Sequence, residues 1–237
     1  MAAIGDIHYG VEGGPLGPHL EQLAQEADVL LVAGDLTQHG DPEEAGELVR
    51  DLERLEMPKV IVLGNHDYHQ DREADIVALL EAAGAIVLES EGEVVQVDGT
   101  RLGVAGLKGF GGGFAGCSVT DFGEPEVRLF AHLMSRAGAD LGTALEAVRD
   151  QDPDVTVALL HYAPVEATLV GEPPQLWPFL GNYLLAEAVD RVGADLVLHG
   201  HAHHGSPRGR TPKGRPVLNV AQPVLKKPYE LIELGAA

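Results

Sequence analysis

The sequence predicts an α/β fold, and three observations carry the prediction. Short apolar runs alternate with segments whose apolar residues recur at helical spacing, the pattern of strands joined by helices. Between residues 94 and 105 the period changes: Asp98-Gly99 separates Val94-Val95-Gln96-Val97 from Leu102-Gly103-Val104-Ala105, a strong hairpin signal that adds an antiparallel component. Five apolar runs, finally, end abruptly in ligating side chains. Ala2-Ala3-Ile4-Gly5 leads to Asp6-Ile7-His8, Val29-Leu30-Leu31-Val32-Ala33 to Gly34-Asp35, and Val60-Ile61-Val62-Leu63 to Gly64-Asn65-His66-Asp67. The run Val155–Leu160 leads to His161, and Leu196-Val197-Leu198 to His199-Gly200-His201-Ala202-His203. In open α/β sheets chemistry collects at the carboxyl ends of strands. Five such ends supplying Asp, His, Asn and a His-x-His pair describe a metal site written across the whole chain.

The elements follow in order. Residues 2–7 read as the first strand, 9–15 as a Gly- and Pro-rich loop, and 19–27 as a helix before the strand at 29–33. Asp41-Pro42-Glu43-Glu44 is a helix start, with Asp as cap, Pro in the first turn and acids beside the helix N-terminus. Leu48, Leu52 and Leu55 continue that helix on its sheet-facing side, and Met57-Pro58 stops it. A helix over 71–83 closes at Gly84, and a short strand follows at 86–88. Residues 108–123, with Gly111-Gly112-Gly113 between Phe110 and Phe114, read as a mobile loop near the site. Helices are expected at 126–136 and 142–149, and another within 177–192; 217–220 and 229–234 are expected closing strands.

The 237 residues suit one α/β domain over 1–237, and 45% hydrophobic residues argue against disorder. No apolar run approaches the ~20 residues of a membrane helix. The N-terminus shows no secretory pattern, and the lone Cys117 excludes an internal disulfide; both fit a cytoplasmic protein. A formal net charge of −21 disfavours stable nucleic-acid binding, which needs basic patches. The exception is the basic segment Arg208, Arg210, Lys213, Arg215, a solvated loop or a patch that attracts phosphate.

Asp6-x-His8, Gly34-Asp35, Gly64-Asn65-His66-Asp67, His161 and Gly200-His201-x-His203 together resemble the motif set of the calcineurin-like metallophosphoesterase superfamily. One motif alone is weak; five in order, each after an apolar run, are specific. The resemblance implies a four-layer α/β/β/α sandwich of two mixed sheets flanked by helices. It places Asp6, His8, Asp35 and His203 around one metal, and Asp35, Asn65, His161 and His201 around a second, with Asp35 as the bridge. Nitrogen and oxygen donors admit manganese or iron, and also zinc, cobalt or nickel.

Paired cations hold phosphoryl oxygens and lower the pKa of bound water, so that a bridging hydroxide attacks phosphorus in line. The leaving oxygen then needs a proton. His66, next to the ligand Asn65, is the candidate acid, and Asp67 the candidate residue that fixes its tautomer. The expected partner is a small phosphoester, with nucleotide-like diesters fitting an aromatic-lined pocket. The sequence does not decide between monoester and diester. Its specificity must lie in loops 9–18, 108–123 and 164–178, where Trp177 and Pro173-Pro174 give an apolar surface.

His19, His39, His69, His132, His199 and His204 match no ligand position. His39 and His204 are close enough to line the site, His199 belongs to the strand end behind it, and Tyr9, Tyr162 and Asn219 are candidate substrate contacts. Cys117 reads as a small buried or loop residue rather than a nucleophile. A non-catalytic scaffold on the same fold would show substitutions among the ligands, and none is present. After Gly34-Asp35 the chain continues Leu36-Thr37-Gln38-His39-Gly40, without the Arg of the protein phosphatase motif.

Overall fold

The structure, a computed structural model, describes residues 1–10 and 12–233. Val11 of the expected 9–15 loop and Leu234 of the expected last strand lie outside the described residues. The first part of the chain runs β1 (Ala2–Ile4), α1 (Leu20–Glu26), β2 (Leu30–Ala33), α2 (Pro42–Leu52), β3 (Lys59–Val62), α3 (Glu73–Ala82) and β4 (Ile86–Val87). It continues with β5 (Glu91–Val97), β6 (Thr100–Leu107), β7 (Gly113–Phe114), β8 (Cys117–Ser118), α4 (Pro125–Arg149) and β9 (Val155–Leu160). It closes with α5 (Trp177–Leu180), α6 (Tyr183–Val192), β10 (Leu196–His199), β11 (Arg208–Arg210), β12 (Pro216–Asn219), α7 (Gln222–Leu225) and β13 (Glu230–Leu231).

These strands form two mixed sheets. The first has the order β13-β1-β2-β3-β4, parallel except for β13. The second has the order β11-β12-β10-β9-β6-β5, with antiparallel strands only at its two edges. The apolar runs are continuous because both faces of each sheet are buried. Leu30, Val32 and Ile61 point outward into a core shared with Leu23 of α1, Leu48 and Leu52 of α2, and Ile76 and Leu80 of α3. Their neighbours Leu31, Ala33, Val60 and Val62 point inward and meet Val104, Val157, Leu159 and Leu198 of the other sheet. Ala158 and Leu160 turn the other way, toward Leu141, Leu145 and Val148 of α4 and Leu185 and Val189 of α6. Three apolar layers thus bind four layers of structure, the sandwich expected from the motifs.

Local chemistry fixes the helix ends. Asp41 caps α2 by accepting the Glu43 N–H at 3.0 Å. The other end of α2 is held by Lys59, whose ammonium donates to the carbonyls of Leu52 and Leu55 at 3.3 and 2.9 Å. Asn182 caps α6 through the Leu184 N–H and donates to the Phe110 carbonyl.

Two expectations are corrected. The helices expected at 126–136 and 142–149 are one helix, α4. Gly138 and Gly142 do not break it, because they are where α6 comes close: a Cβ at Gly138 would stand 2.8 Å from the Leu184 Cβ, and one at Gly142 2.1 Å from the Arg191 guanidinium. The 108–123 segment is not a loose loop. Gly112 and Gly113 donate to the carbonyls of Pro178 and Gly181, β7 pairs with β8, and Phe114 is buried. Cys117 is exposed on β8.

The layer between the sheets gives a first prediction. Leu31 is fully buried there. Leu31→Ala should cost about 2–5 kcal/mol, because neither sheet can collapse into the vacated volume. Urea unfolding should show a lower midpoint with an unchanged slope; a change below about 1 kcal/mol would mean that the sheets can slide together.

Candidate metal centre

The two sheets present their carboxyl ends side by side, and the chain leaves those ends in strained conformations. Asp6, His8, Asp35 and His201 have φ of 56°, 40°, 51° and 67°, the left-handed region that non-glycine residues rarely occupy. Such backbone costs about 1–3 kcal/mol per residue and persists where the surroundings impose it, commonly at functional sites. Tight approach adds to the constraint. A Cβ at Gly64 would stand 2.1 Å from the Asp35 backbone N and its Oδ1, so only glycine lets the turn after β3 lie against Asp35.

The side chains converge in two groups that share Asp35. One donor atom from each of Asp6, His8, Asp35 and His203 lies within 4.8 Å of the others, and the same holds for Asp35, His161 and His201. Asp35 Oδ2 faces His8 Nε2 at 3.8 Å, while Oδ1 faces His161 Nε2 at 3.4 Å. Asn65 Oδ1 lies 2.9 Å from His161 Nε2, on the second group. All seven expected ligands are therefore brought together, and in the grouping that the resemblance implied.

The geometry fits cations. Both ring nitrogens of His8 are buried without a hydrogen-bond partner, which is costly unless something else binds them. His161 Nδ1 lies 2.9 Å from the Ala33 carbonyl, so that nitrogen carries the proton and Nε2 keeps its lone pair for the site. His201 Nε2 meets the Phe179 carbonyl at 3.2 Å, which leaves Nδ1 to face inward. Burial pushes the His201 pKa down to about 4, so it stays neutral and able to ligate.

Electrostatics follow from burial among like and unlike charges. Burial alone would raise the Asp6 pKa, but the His203 hydrogen bond at 2.8 Å and the nearby imidazoles prevail and hold it low. The same hydrogen bond raises His203. Asp6 also accepts the His201 backbone N–H at 3.0 and 2.9 Å, which ties the first strand to the His-x-His turn. His8 is lowered by burial despite its two carboxylate neighbours.

The proton-donor candidate sits at the edge of this group. The His66 ring packs edge-on to His8 at 4.6 Å and against His69 at 4.5 Å. Its Nδ1 donates to the Gln38 carbonyl at 2.8 Å, which frees Nε2. Its backbone N–H donates to Asp35 Oδ1 at 2.8 Å.

The expectation for Asp67 is corrected here. Its carboxylate does not orient His66. It is fully buried and accepts from the N–H groups of Leu36, Thr37 and Gly64 and from the Thr37 hydroxyl at 2.7 Å. Those bonds clamp the turn after β2 to the turn after β3, so Asp67 positions Asp35 and Asn65. Burial, then the charge of Asp35, raises its pKa.

Other expectations resolve similarly. His199 ends β10, and both its nitrogens are occupied, by the Gly200 carbonyl and the Thr168 hydroxyl; burial lowers it to about 4. His39 pairs with Glu44 at the start of α2, and the His204 N–H donates to Glu172. Tyr9 is buried and donates to Asp51, and Asn219 bonds only backbone groups, so neither is a substrate contact. Tyr162 does border the site, its ring 4.5 Å from His201. The basic segment is largely engaged elsewhere: Arg208 with Glu230, Lys213 with the Asp190 carbonyl, Arg210 with the Gly214 carbonyl. Gln38 and Ala33 act through carbonyl oxygens, which carry no side-chain signal in a sequence.

Facing strand ends bring two carboxylates, one amide and four imidazoles together in an α/β sandwich, as two adjacent candidate metal sites. The chain belongs to the calcineurin-like phosphoesterase family, whose sequence profile matches residues 1–205. The fold is similar to that of phosphopantetheinyl hydrolase from Mycobacterium tuberculosis, with a TM-score of 0.61, 17% identity, and coverage of 93% of this chain and 88% of that one. TT1561 of Thermus thermophilus is similar at a TM-score of 0.57 and 20% identity, over 92% of this chain and 87% of that one. A structure described as a 5′-nucleotidase from Staphylococcus aureus matches at a TM-score of 0.57 and 18% identity, over 92% of this chain and 47% of that one. Among curated proteins none matches the chain. Among the described residues, no helix is long and apolar enough to cross a membrane.

Proposed function

We propose that the protein is a binuclear metal-dependent phosphoesterase that hydrolyses phosphomonoesters or phosphodiesters, with His66 as proton donor to the leaving group. The observation that supports it best is the pair of donor groups sharing one buried carboxylate, Asp35. Two cations held there, manganese or iron before zinc, cobalt or nickel, would neutralise phosphoryl charge and supply a nucleophile from water at neutral pH.

The residues of the chain account for the remaining requirements. Asp35 divides its two oxygens between the groups and so sets their spacing. The Ala33 carbonyl fixes the His161 tautomer, and the Asp67 clamp keeps Asp35 and Asn65 from relaxing apart. His66, held by Gln38 and outside both donor groups, has Nε2 free to give a proton to an alkoxide as it departs. No serine or cysteine nucleophile is required.

The test is metal content of the purified protein together with hydrolysis of aryl phosphate monoesters and diesters after metal supplementation. About two metals per chain is expected, as in paired-metal hydrolases, with turnover lost on chelation and restored by manganese. Folded protein that takes up no metal and cleaves neither ester with any of the five metals would end the hydrolase reading.

A further inference from the structure

The strand ends next to the candidate metal centre border a further cavity. β4 pairs with β3 and β6 with β9, so the carboxyl ends of β4 and β6 flank the turns that carry Asn65 and His161. Lys108 follows β6 directly. Its carbonyl accepts the N–H groups of His161 and Tyr162 at 3.1 and 3.0 Å, which fixes it beside a candidate ligand. A cavity of about 440 Å³ opens there, bordered by Tyr68, Glu89, Lys108, Phe110 and Arg136.

The charged groups of this cavity are not equally committed. Arg136 pairs with Asp140 at 3.3 Å. Glu89 accepts the Tyr68 hydroxyl at 2.8 Å. The Lys108 ammonium lies 4.0 Å from the centroid of the Tyr68 ring, a cation resting on an aromatic face. Among the described residues it has no hydrogen bond and no ion pair, although burial is deep enough to push its pKa down. An ammonium carries three N–H donors and no acceptor, and none of the three is taken up by the protein. Lys59 shows the contrast: its ammonium is engaged by two helix carbonyls. The carboxylates that act on it, Glu89 first and then Asp35, Glu73 and Asp67, do so without a direct hydrogen bond or ion pair, so the donors of this half-desolvated ammonium are left for a ligand.

We propose that this cavity is a subsite for a second anionic group of the substrate, a carboxylate or phosphate separate from the scissile phosphate, held by Lys108. The proposal rests on the phosphoesterase reading for the position of the scissile group. It narrows the substrate to phosphoesters that carry a further negative charge. Tyr68 supplies the platform that keeps the ammonium aimed into the cavity, and Phe110 supplies an apolar wall for the spacer between the two charges.

The experiment is calorimetric binding of alkylphosphonates to the manganese-loaded protein. Each chain length is compared without and with a terminal carboxylate, and with a terminal phosphonate in a third arm. At the best-fitting length a second charge should tighten binding about tenfold, the effect of one charge-assisted hydrogen bond. The carboxylate and phosphonate arms show which anion the subsite prefers. Lys108→Met should remove this gain, and Lys108→Arg should keep most of it, with metal content of both variants at the wild-type level.

The proposal is overturned if no second charge tightens binding at any length, if Lys108→Met keeps the gain, or if no phosphonate binds. It is also overturned if Lys108→Met weakens charged and uncharged phosphonates by the same factor, because a merely structural lysine would do that. Turnover of phenyl phosphate is measured separately. A protein that discriminates the charged phosphonates through Lys108 yet hydrolyses no ester supports the subsite and overturns the hydrolase reading alone.

Discussion

Asp35→Asn is expected to abolish metal binding at both sites and to lower kcat by at least about a thousandfold, while leaving the metal-free protein as stable as the wild type or more so. The first half follows from position. Asp35 is shared by the two donor groups, with one oxygen toward His8 and the other toward His161. An amide there offers one neutral oxygen in place of two charged ones. Metal assistance is worth several kcal/mol of transition-state stabilisation, and each 1.36 kcal/mol is about a factor of ten.

The second half follows from what the carboxylate costs when no cation is present. Asp35 is 1% exposed, sits at φ 51°, and its charge helps to raise the pKa of buried Asp67. Asparagine tolerates the left-handed backbone and keeps an oxygen for the His66 N–H. Removing the charge relieves repulsion, so a gain of about 0.5–2 kcal/mol is the expectation, as at other functional sites that trade stability for activity. Metal analysis, steady-state kinetics and urea unfolding with chelator present measure the three parts. A variant that keeps near-wild-type metal content and turnover would show that Asp35 does not bridge. One that loses several kcal/mol without metal would make the residue structural.

The strand ends were legible because they break two rules at once. A run such as Leu196-Val197-Leu198 demands burial, and His-Gly-His-Ala-His directly after it cannot be buried without a purpose. Five such breaks place Asp6, His8, Asp35, Asn65, His161, His201 and His203 at strand ends by local reading, and the fold brings them together. The layering was not legible from those runs: continuous apolar strands require cover on both faces but do not say by what, and the two face-to-face sheets were implied only by the resemblance.

What escaped sequence reading depends on partners remote in the chain. Asp67 lies next to His66, and adjacency suggested a hydrogen bond; its actual partners, Leu36 and Thr37, come from the turn after another strand. Gly138 and Gly142 lower helix propensity, and only the approach of α6 explains why the helix runs through them. Tyr9 resembled a site residue by position, yet its hydroxyl reaches Asp51 on α2. The triple glycine suggested mobility, but Pro178 and Gly181 supply the acceptors that pin it. In each case the deciding contact joins segments whose meeting is a property of the tertiary fold.

His66→Ala is expected to lower kcat about 10²–10⁴-fold on esters with poor leaving groups and to leave two metals bound. The retention of metal follows from geometry. The ring belongs to neither donor group, and its link to Asp35 is through the backbone N–H, which alanine preserves. The loss of rate follows from the proton that an alkoxide must receive. Nδ1 is tied to the Gln38 carbonyl, so Nε2 is the atom that delivers it. The discriminating readout is therefore the dependence on leaving-group basicity. With p-nitrophenyl phosphate, whose phenolate departs without protonation, the loss should shrink toward about tenfold or less, whereas phenyl and alkyl phosphates should show the full effect. A variant whose rates fall by one common factor across the series would assign His66 to holding the phosphoryl group. Wild-type turnover on alkyl phosphates would remove it from the chemistry altogether. The contacts of its ring with His8 and His69 favour the first of these three outcomes, because they fix its orientation at the rim, beside the donor groups rather than within them.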